Sequence, residues 1–329
     1  MQKLVEEFPN QLKEAISIGE KADFSSIDAD EIRNVALLGL GGSAFGGELI
    51  RNLTADNMRV PFSIHRGYNA PAYAGKHTLA IISSYSGNTE ETLSMAGQML
   101  EKGVQAVAVT SNGKLAGIAK ERGFPHITLP GGYPPRAAAG FSFVQQLFIL
   151  RELKLIHDFR KELEDAIALL EAFDAHAQAE SVAARLANKL PVIYAGDAAD
   201  AVAIRLRQQI NENSKQLCWH HTVPEMNHNE LVGWEHPQWL HQQVQPVFLQ
   251  TDYDHPRVAL RFGINKEILQ QYASEVLTLR AEGSSHLAQL LYLLHFADWV
   301  SLYLAKANAT DPTPVKVIDF LKAELGKHA

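Results

Sequence analysis

The sequence predicts an α/β protein of two tandem domains, each a parallel β-sheet flanked by helices. Two observations predict it. Short apolar runs that end in glycine or serine recur, such as residues 35–40 and 79–84, and helix-like segments follow them at 48–53 and 90–102. Strands that alternate with helices form parallel sheets through right-handed crossovers. A length of 329 residues allows two such domains, each with its own core.

The predicted elements fall into two similar series. An amphipathic helix over residues 4–18 opens the chain, and the first series adds strands at 104–110 and 125–129 with a helix at 114–122 between them. A long helical region, 141–186, separates the series. The second series comprises a strand at 190–196, a helix at 200–213, strands at 245–250 and 275–280, and a helix at 284–305. We therefore predict an N-terminal domain of residues 1–152 and a C-terminal domain of residues 153–329.

Composition narrows the classes of function. The formal net charge of −7 disfavours a general electrostatic attraction to nucleic acid or to an anionic membrane. Cys218 is the only cysteine, which excludes an intramolecular disulfide and a Cys-rich metal site. Residues 1–21 lack the apolar stretch of a signal peptide, and His295, Asp298 and Ser301 interrupt the most apolar segment, 287–305. We expect a cytoplasmic protein that binds neither membrane nor nucleic acid.

Two polar turns follow the first strands, where parallel sheets bind ligands. Residues 39–47, GLGGSAFGG, contain five glycines, which let backbone N–H groups approach an anion at a helix start. A dinucleotide site is an alternative, since Gly39, Gly41 and Ala44 loosely match G-x-G-x-x-A. However, no acidic residue ends the next short strand, 62–66, to bind a ribose.

In the second turn, SYSGNTEET at residues 84–92, the hydroxyls of Ser84, Ser86 and Thr89 surround one glycine. The hydroxyls of Ser84, Ser86 and Thr89, with free N–H groups at a helix start, suit a phosphate without any lysine. The competing interpretation is that Thr89 merely caps the helix. Three hydroxyls beside a second glycine-rich turn favour phosphate binding.

These two turns resemble the sugar isomerase (SIS) domain of phosphosugar isomerases and phosphosugar-binding regulators, a flavodoxin-like fold. Further motifs follow in order: YPPRAAAG at 133–140, NENSK at 211–215, PEMNHNE at 224–230 and DPTPV at 311–315. With them the chain resembles the bifunctional phosphoglucose/phosphomannose isomerase family. The likeness extends from about residue 34 to 325, and NENSK and PEMNHNE are its most specific parts.

The resemblance implies a set of site residues and a homodimer. Phosphate would be bound by Gly41, Gly42, Ser43, Ser84, Ser86 and Thr89. Arg136 would stabilise the charged intermediate, Glu212 would be the base, and His228, supplied by the neighbouring subunit, would open the ring. A lysine near the C-terminus would complete the site; Lys322 is preferred and Lys316 is the alternative. Thr313 corresponds to a threonine linked to the acceptance of mannose 6-phosphate.

Aldose–ketose isomerisation is consistent with these residue types. It needs a carboxylate that reaches two neighbouring carbons, a permanent cation near the developing oxyanion, and an acid/base group for ring opening, but no metal and no cofactor. The alternatives without a catalytic role are that Glu212 lies on the protein surface and that Arg136 forms a structural salt bridge. Five histidines at 220, 221, 228, 236 and 241 raise a metal site as an alternative, although their spacing fits no common ligand set. His228 differs from the others in lying between two asparagines and just before Glu230, an environment that would fix its ring.

Two other classes of function remain to be separated. A non-catalytic phosphosugar sensor would normally carry a basic recognition helix, which the acidic start of this chain does not offer. A fragment of a phosphosugar aminotransferase would need an ammonia-generating partner domain.

Overall fold

The computed structural model describes residues 1–328, which form two compact units. One unit is Glu6–Glu171; the other contains Met1–Val5 and continues from Ala172. Each has one parallel sheet flanked by helices, which confirms the predicted α/β class. The residues before and after this division, which follows Glu171, make most of their contacts within their own unit. The domain boundary expected after residue 152 stays a prediction.

The sheet of the first unit has five parallel strands. They are β1 Asn34–Leu38, β2 Phe62–His65, β3 Thr78–Ser83, β4 Gln105–Thr110 and β5 His126–Thr128. Their spatial order is β2-β1-β3-β4-β5. Because successive strands are added first on one side of β1 and then on the other, the order reverses between β1 and β3. In an open parallel sheet this reversal marks the usual ligand-binding crevice.

Helices cover both faces of this sheet. They are α2 Phe8–Gly19, α3 Gly41–Thr54, α4 Glu90–Glu101, α5 Gly113–Arg122, α6 Ala139–Glu152 and α7 Arg160–Glu171, and α1 Gln2–Glu6 opens the chain. Met95, Met99 and Leu115, from α4 and α5, join one apolar core with alternate residues of the central strands. On the other face α6 packs against α2 and α3.

The second unit is built on a four-stranded parallel sheet in the order β7-β6-β8-β9. Its strands are β6 Leu190–Gly196, β7 Trp219–Val223, β8 Val244–Gln250 and β9 Leu277–Arg280. Its helices are α8 His176–Leu186, α9 Asp200–Asn213, α10 Met226–Gly233, α11 Pro256–Leu269, α12 His286–Ala307 and α13 Lys316–Leu325.

Two helices of this unit have opposite environments. α12 is long and apolar enough to cross a membrane, but 94% of its most apolar window is buried inside the protein, as in the core helix of a globular fold. α13 has no buried residue, and Val317, Phe320 and Leu321 of its apolar side are 82%, 65% and 57% exposed.

The predicted strands and most helices are present, with specific differences. β6 and α9 have the predicted bounds, whereas the opening helix is interrupted at Glu7 and the helical region 141–186 is three helices. The glycine-rich segment expected to be a turn is instead the start of α3, at Gly41. β7, α10, α11 and α13 were not predicted. The edge strand β7 was missed because its sequence, WHHTV, is largely polar.

Gly87 provides a test of the packing of the turn between β3 and α4. Its φ is +67°, and an added Cβ would lie 1.7 Å from the carbonyl oxygen of Asn112. We expect Gly87→Ala to lower the free energy of unfolding by about 3 kcal/mol, because the backbone conformation and the clash both oppose a side chain. The measurement is urea unfolding of the full chain by circular dichroism.

Gly97 is the matched control. It lies inside α4, with no atom within 4 Å of an added Cβ. Gly97→Ala should raise the free energy of unfolding by about 0.5–1 kcal/mol through helix propensity. Equal stability of Gly87→Ala and wild type would contradict this account of the turn.

Candidate active site

Two helix N-termini meet the carboxyl ends of β1 and β3 in the first unit. α3 begins at Gly41, three residues after β1 ends, and α4 begins at Glu90, directly after Thr89. The unpaired N–H groups and the positive dipole end of each helix favour an anion. Since β1 and β3 are neighbours at the reversal of strand order, both helix starts lie at one edge of the sheet.

The predicted phosphate-binding hydroxyls lie in the first turn of α3 and on the segment that enters α4. Ser43 and Ser84 are buried, while Ser86 is exposed. Ser43 Oγ accepts a hydrogen bond from the Tyr85 N–H at 3.0 Å, which joins the two segments directly. Ser84 Oγ and Thr89 Oγ1 are 2.9 Å apart. Thr89 occupies the N-cap position of α4 but makes no side-chain cap bond, so its hydroxyl is committed to Ser84 and not to the helix.

Tyr85 anchors this region, a role that the sequence analysis missed. Its hydroxyl donates to the Pro130 carbonyl at 2.8 Å and accepts from the Tyr133 N–H at 3.0 Å. Its own carbonyl accepts from both the N–H (2.9 Å) and the hydroxyl (2.7 Å) of Ser111. Burial raises the pKa of Tyr85. One side chain thus ties the SYSGNT turn to the loop that leads to Arg136. An aromatic residue among small hydroxylated ones was the available signal.

Gln146 braces the same two segments from α6. It is fully buried, and its Nε2 donates to the Ser43 carbonyl at 3.0 Å and contacts Ser83 Oγ at 3.3 Å. The signal in the sequence was a glutamine within the otherwise apolar run of α6. A buried amide needs partners, and the partners of Gln146 Nε2 are the start of α3 and the end of β3.

Arg136 lies against the start of α3. It is buried, in a short 3-10 helix, Pro135–Ala138, where Pro134 and Pro135 restrict the backbone. A Cβ added at Gly42 would lie 2.7 Å from the Pro135 carbonyl oxygen and 3.6 Å from Arg136 Cα. Gly42 therefore has a steric role: it allows the arginine-bearing turn to approach the helix start.

In the second unit, the NENSK segment ends α9 with most of its side chains bound to the protein. Asn213 Nδ2 donates to Ser301 Oγ at 2.9 Å, and Ser214 Oγ donates to the Ser301 carbonyl at 2.7 Å. Asn211 Nδ2 donates to the carbonyls of Arg207, at 2.7 Å, and Cys218, at 3.4 Å. Glu212, between these anchors, is half-buried.

Lys215 connects NENSK with the DPTP segment. Its Nζ donates to the Glu212 carbonyl at 2.6 Å and to the Pro312 carbonyl at 3.5 Å. The Thr313 N–H donates to Asp311 Oδ1 at 2.8 Å, and this bond lowers the pKa of Asp311. Two motifs about a hundred residues apart in sequence, those of Glu212 and Thr313, are thus brought together.

His228 is exposed on α10, and its environment differs from the one predicted. Glu230 does not orient it. The carboxylate of Glu230 instead accepts hydrogen bonds from His221 Nδ1, at 2.6 Å, and from the Tyr194 hydroxyl. Among residues 1–328, no three His, Cys, Asp or Glu side chains are grouped as metal ligands.

The remaining predicted residues lie on α13 or in the core. Lys322 and Lys316 are both exposed on α13, so burial does not distinguish them. Cys218 is buried, and burial raises the pKa of its thiol to about 12, which is inconsistent with a nucleophile. Of the tryptophans near the predicted histidines, Trp219 and Trp239 are 51% and 73% exposed, whereas Trp234 packs in the core of its own unit.

Comparison with known proteins gives the family. A profile described as "Bacterial phospho-glucose isomerase C-terminal SIS domain" matches residues 175–325. The chain is 39% identical to a bifunctional phosphoglucose/phosphomannose isomerase of Caldicellulosiruptor bescii, over 97% of each protein. It is 36% identical to the Aquifex aeolicus protein of the same name, over 99% of this chain and 98% of the relative.

A solved structure supports the fold. The C-terminal domain of glucosamine-fructose-6-phosphate aminotransferase from Francisella tularensis superposes with a TM-score of 0.76 at 15% identity, over 94% of this chain and 96% of that one. The tandem SIS-type fold predicted from the turns is confirmed. With near-full-length identity of 39% and 36% to two of its members, the chain belongs to the bifunctional phosphoglucose/phosphomannose isomerase family.

Proposed function

We propose that this isomerase interconverts glucose 6-phosphate, and also mannose 6-phosphate, with fructose 6-phosphate through a cis-enediolate. The observation that carries the proposal is the pair of helix starts at the β1/β3 edge, with the Ser43 hydroxyl in the first turn of α3 and those of Ser84 and Thr89 just before α4. Such a site binds a phosphoryl group through neutral donors and requires no net positive charge on the protein.

The reaction requires proton transfer between C1 and C2, and we assign that step to Glu212. A carboxylate serves both carbons because the enediolate is planar and its two carbons are adjacent. The anchoring of Asn211, Asn213 and Ser214 supports the assignment, since a base must be held in a fixed position and each neighbour of Glu212 is bound to the protein.

Arg136 would stabilise the oxyanion of the enediolate. A guanidinium remains charged throughout the cycle and costs no reorganisation if it is already fixed. Its burial and its rigid, proline-preceded turn support this role. The main chain of Gly41 and Gly42, with the hydroxyls of Ser43, Ser84, Ser86 and Thr89, would bind the phosphate.

His228 would open the sugar ring, with Lys322, or alternatively Lys316, assisting. We further propose a homodimer in which His228 acts on the site of the neighbouring subunit. The exposure of His228, and of Trp219, Val232 and Trp239 in the same part of the chain, supports an interface there. The lone, buried Cys218 is consistent with a cytoplasmic enzyme.

Direct assay with three phosphosugars tests the function. We expect glucose 6-phosphate and mannose 6-phosphate both to yield fructose 6-phosphate, and glucosamine 6-phosphate to yield nothing, with rates unchanged by excess EDTA. The products would be followed by enzymatic coupling or NMR. Binding of glucose 6-phosphate without turnover would favour the non-catalytic sensor, and loss of rate with EDTA would favour the metal site.

Substitution of the base tests the assignment of Glu212. We expect Glu212→Gln to lower kcat about 10³-fold, because the amide cannot accept the proton, while the dissociation constant for glucose 6-phosphate changes little. The measurements are deuterium exchange at C2 by NMR and calorimetric binding. Glu267→Gln, at an exposed carboxylate on α11, is the matched control and should behave as wild type. A normal exchange rate in Glu212→Gln would exclude this residue as the base.

Tyr85→Phe tests the positioning of Arg136. Loss of the hydroxyl leaves the Pro130 carbonyl and the Tyr133 N–H without that partner and loosens the loop before Arg136. We expect kcat to fall about tenfold with KM nearly constant, because phosphate binding rests on other groups. Tyr73→Phe, which removes a hydroxyl bonded to His65 in the same unit, should leave both parameters unchanged. A rise in KM at constant kcat would show that Tyr85 serves substrate binding instead.

A further inference from the structure

A hydrogen-bonded group of one buried and two partly buried side chains links α10 to the sheet of the second unit. The carboxylate of Glu230, on α10, accepts a hydrogen bond from His221 Nδ1 on the edge strand β7, at 2.6 Å, and another from the hydroxyl of Tyr194 on the adjacent strand β6. Tyr194 and His221 are direct partners in the β6–β7 register, so their side chains share one face of the sheet. Both carboxylate oxygens of Glu230 are therefore held by two neighbouring strands.

The surroundings make this arrangement specific. Tyr194 is fully buried in an apolar core with Val223 and Met226, so its hydroxyl must have a hydrogen-bond partner there. An aliphatic side chain at position 230 would remove the carboxylate that accepts the hydrogen bond of that hydroxyl. The group therefore holds one side chain of α10 at a fixed point above the sheet.

A second anchor holds the start of the same helix. Asn227 Nδ2 donates to Asn265 Oδ1 at 2.7 Å, and Asn227 Oδ1 accepts from Arg261 Nη1 at 3.0 Å. Both partners lie on α11, and Asn265 is buried. An eight-residue helix is not stable alone, so these tertiary bonds determine where α10 lies.

His228 lies between the two anchored residues in sequence and on the opposite side of α10 from Glu230. Residues two apart on a helix differ by about 200° in direction, so His228 is opposite both Glu230 and the buried Met226. His228 is exposed, and among residues 1–328 its imidazole forms no hydrogen bond. Its position is therefore set by the helix that carries it and not by contacts of its own ring.

We propose that Tyr194, His221 and Glu230 are positioning residues, which fix α10 so that it presents His228 to the sugar ring. The inference rests on the proposed role of His228 in ring opening. It assigns a function to the PEMNHNE carboxylate and to a tyrosine that no motif contains. Neither Tyr194 nor Glu230 contacts substrate in this scheme, since both act through the orientation of the helix.

A double-mutant cycle with His228 tests the inference. We expect Tyr194→Phe and Glu230→Gln each to lower kcat for glucose 6-phosphate about tenfold with KM unchanged, because displacement of a reacting group acts on turnover. In a His228→Ala background neither change should lower kcat further. The residual turnover of these variants, sustained by spontaneous ring opening, is measured by deuterium incorporation over hours.

Tyr292→Phe is the matched control. The Tyr292 hydroxyl donates to Glu282 Oε1 at 3.1 Å in the same unit, so this substitution removes a tyrosine–glutamate hydrogen bond of the same kind. It should leave kcat unchanged. Circular dichroism and Tm establish that the variants are folded, and if Tyr194→Phe is not, Glu230→Gln alone completes the cycle.

The outcomes separate this inference from the proposed function. An equal loss of kcat in the wild-type and His228→Ala backgrounds, or no loss in either single variant, would overturn the positioning role alone. A wild-type rate in His228→Ala would instead refute the ring-opening role of His228, and the positioning inference with it.

Discussion

The proposed phosphate site depends on one topological constraint, the reversal of strand order between β1 and β3. Without it, the starts of α3 and α4 would lie on separate parts of the sheet and could not bind one anion. The bond from the Tyr85 N–H to Ser43 Oγ then joins the two segments. The absence of a side chain at Gly42 lets the turn before Arg136 approach the same point. Backbone geometry, rather than a lysine, therefore provides the anion site.

The motifs of this chain consist largely of anchoring residues. In NENSK, the side chains of Asn211, Asn213, Ser214 and Lys215 all bind the protein around Glu212. In PEMNHNE, Met226, Asn227 and Glu230 hold α10, and His228 is exposed on its other side. A reacting group must be held accurately. In both motifs the neighbours in sequence of the proposed reacting group bind the protein and so contribute to that restraint.

Local pattern was sufficient to predict the strands that are buried on both faces, because their apolar runs carry a strong signal. β6 and the helix after it were predicted with their observed bounds. The start of α3 was not predicted, because glycine has low helix propensity. There Gly46 is required by packing: an added Cβ would lie 2.8 Å from Phe143 Cα on α6. Here the tertiary contact outweighs the low helix propensity of glycine. Because Gly46 and Phe143 are far apart in sequence, a local sequence pattern does not reveal that contact.

The partner of Glu230 was predicted wrongly for a related reason. Proximity in sequence suggested His228, but on a helix residues two apart point in nearly opposite directions. The observed partner, His221, could be identified only after β7 was recognised as a strand and paired with β6, which places it beside Tyr194. One of the polar residues that hid β7 from a hydrophobic pattern, His221, is therefore the residue of that strand that binds the carboxylate. A histidine–carboxylate pair is a property of the sheet register, so it becomes predictable only once the pairing of the edge strand is known.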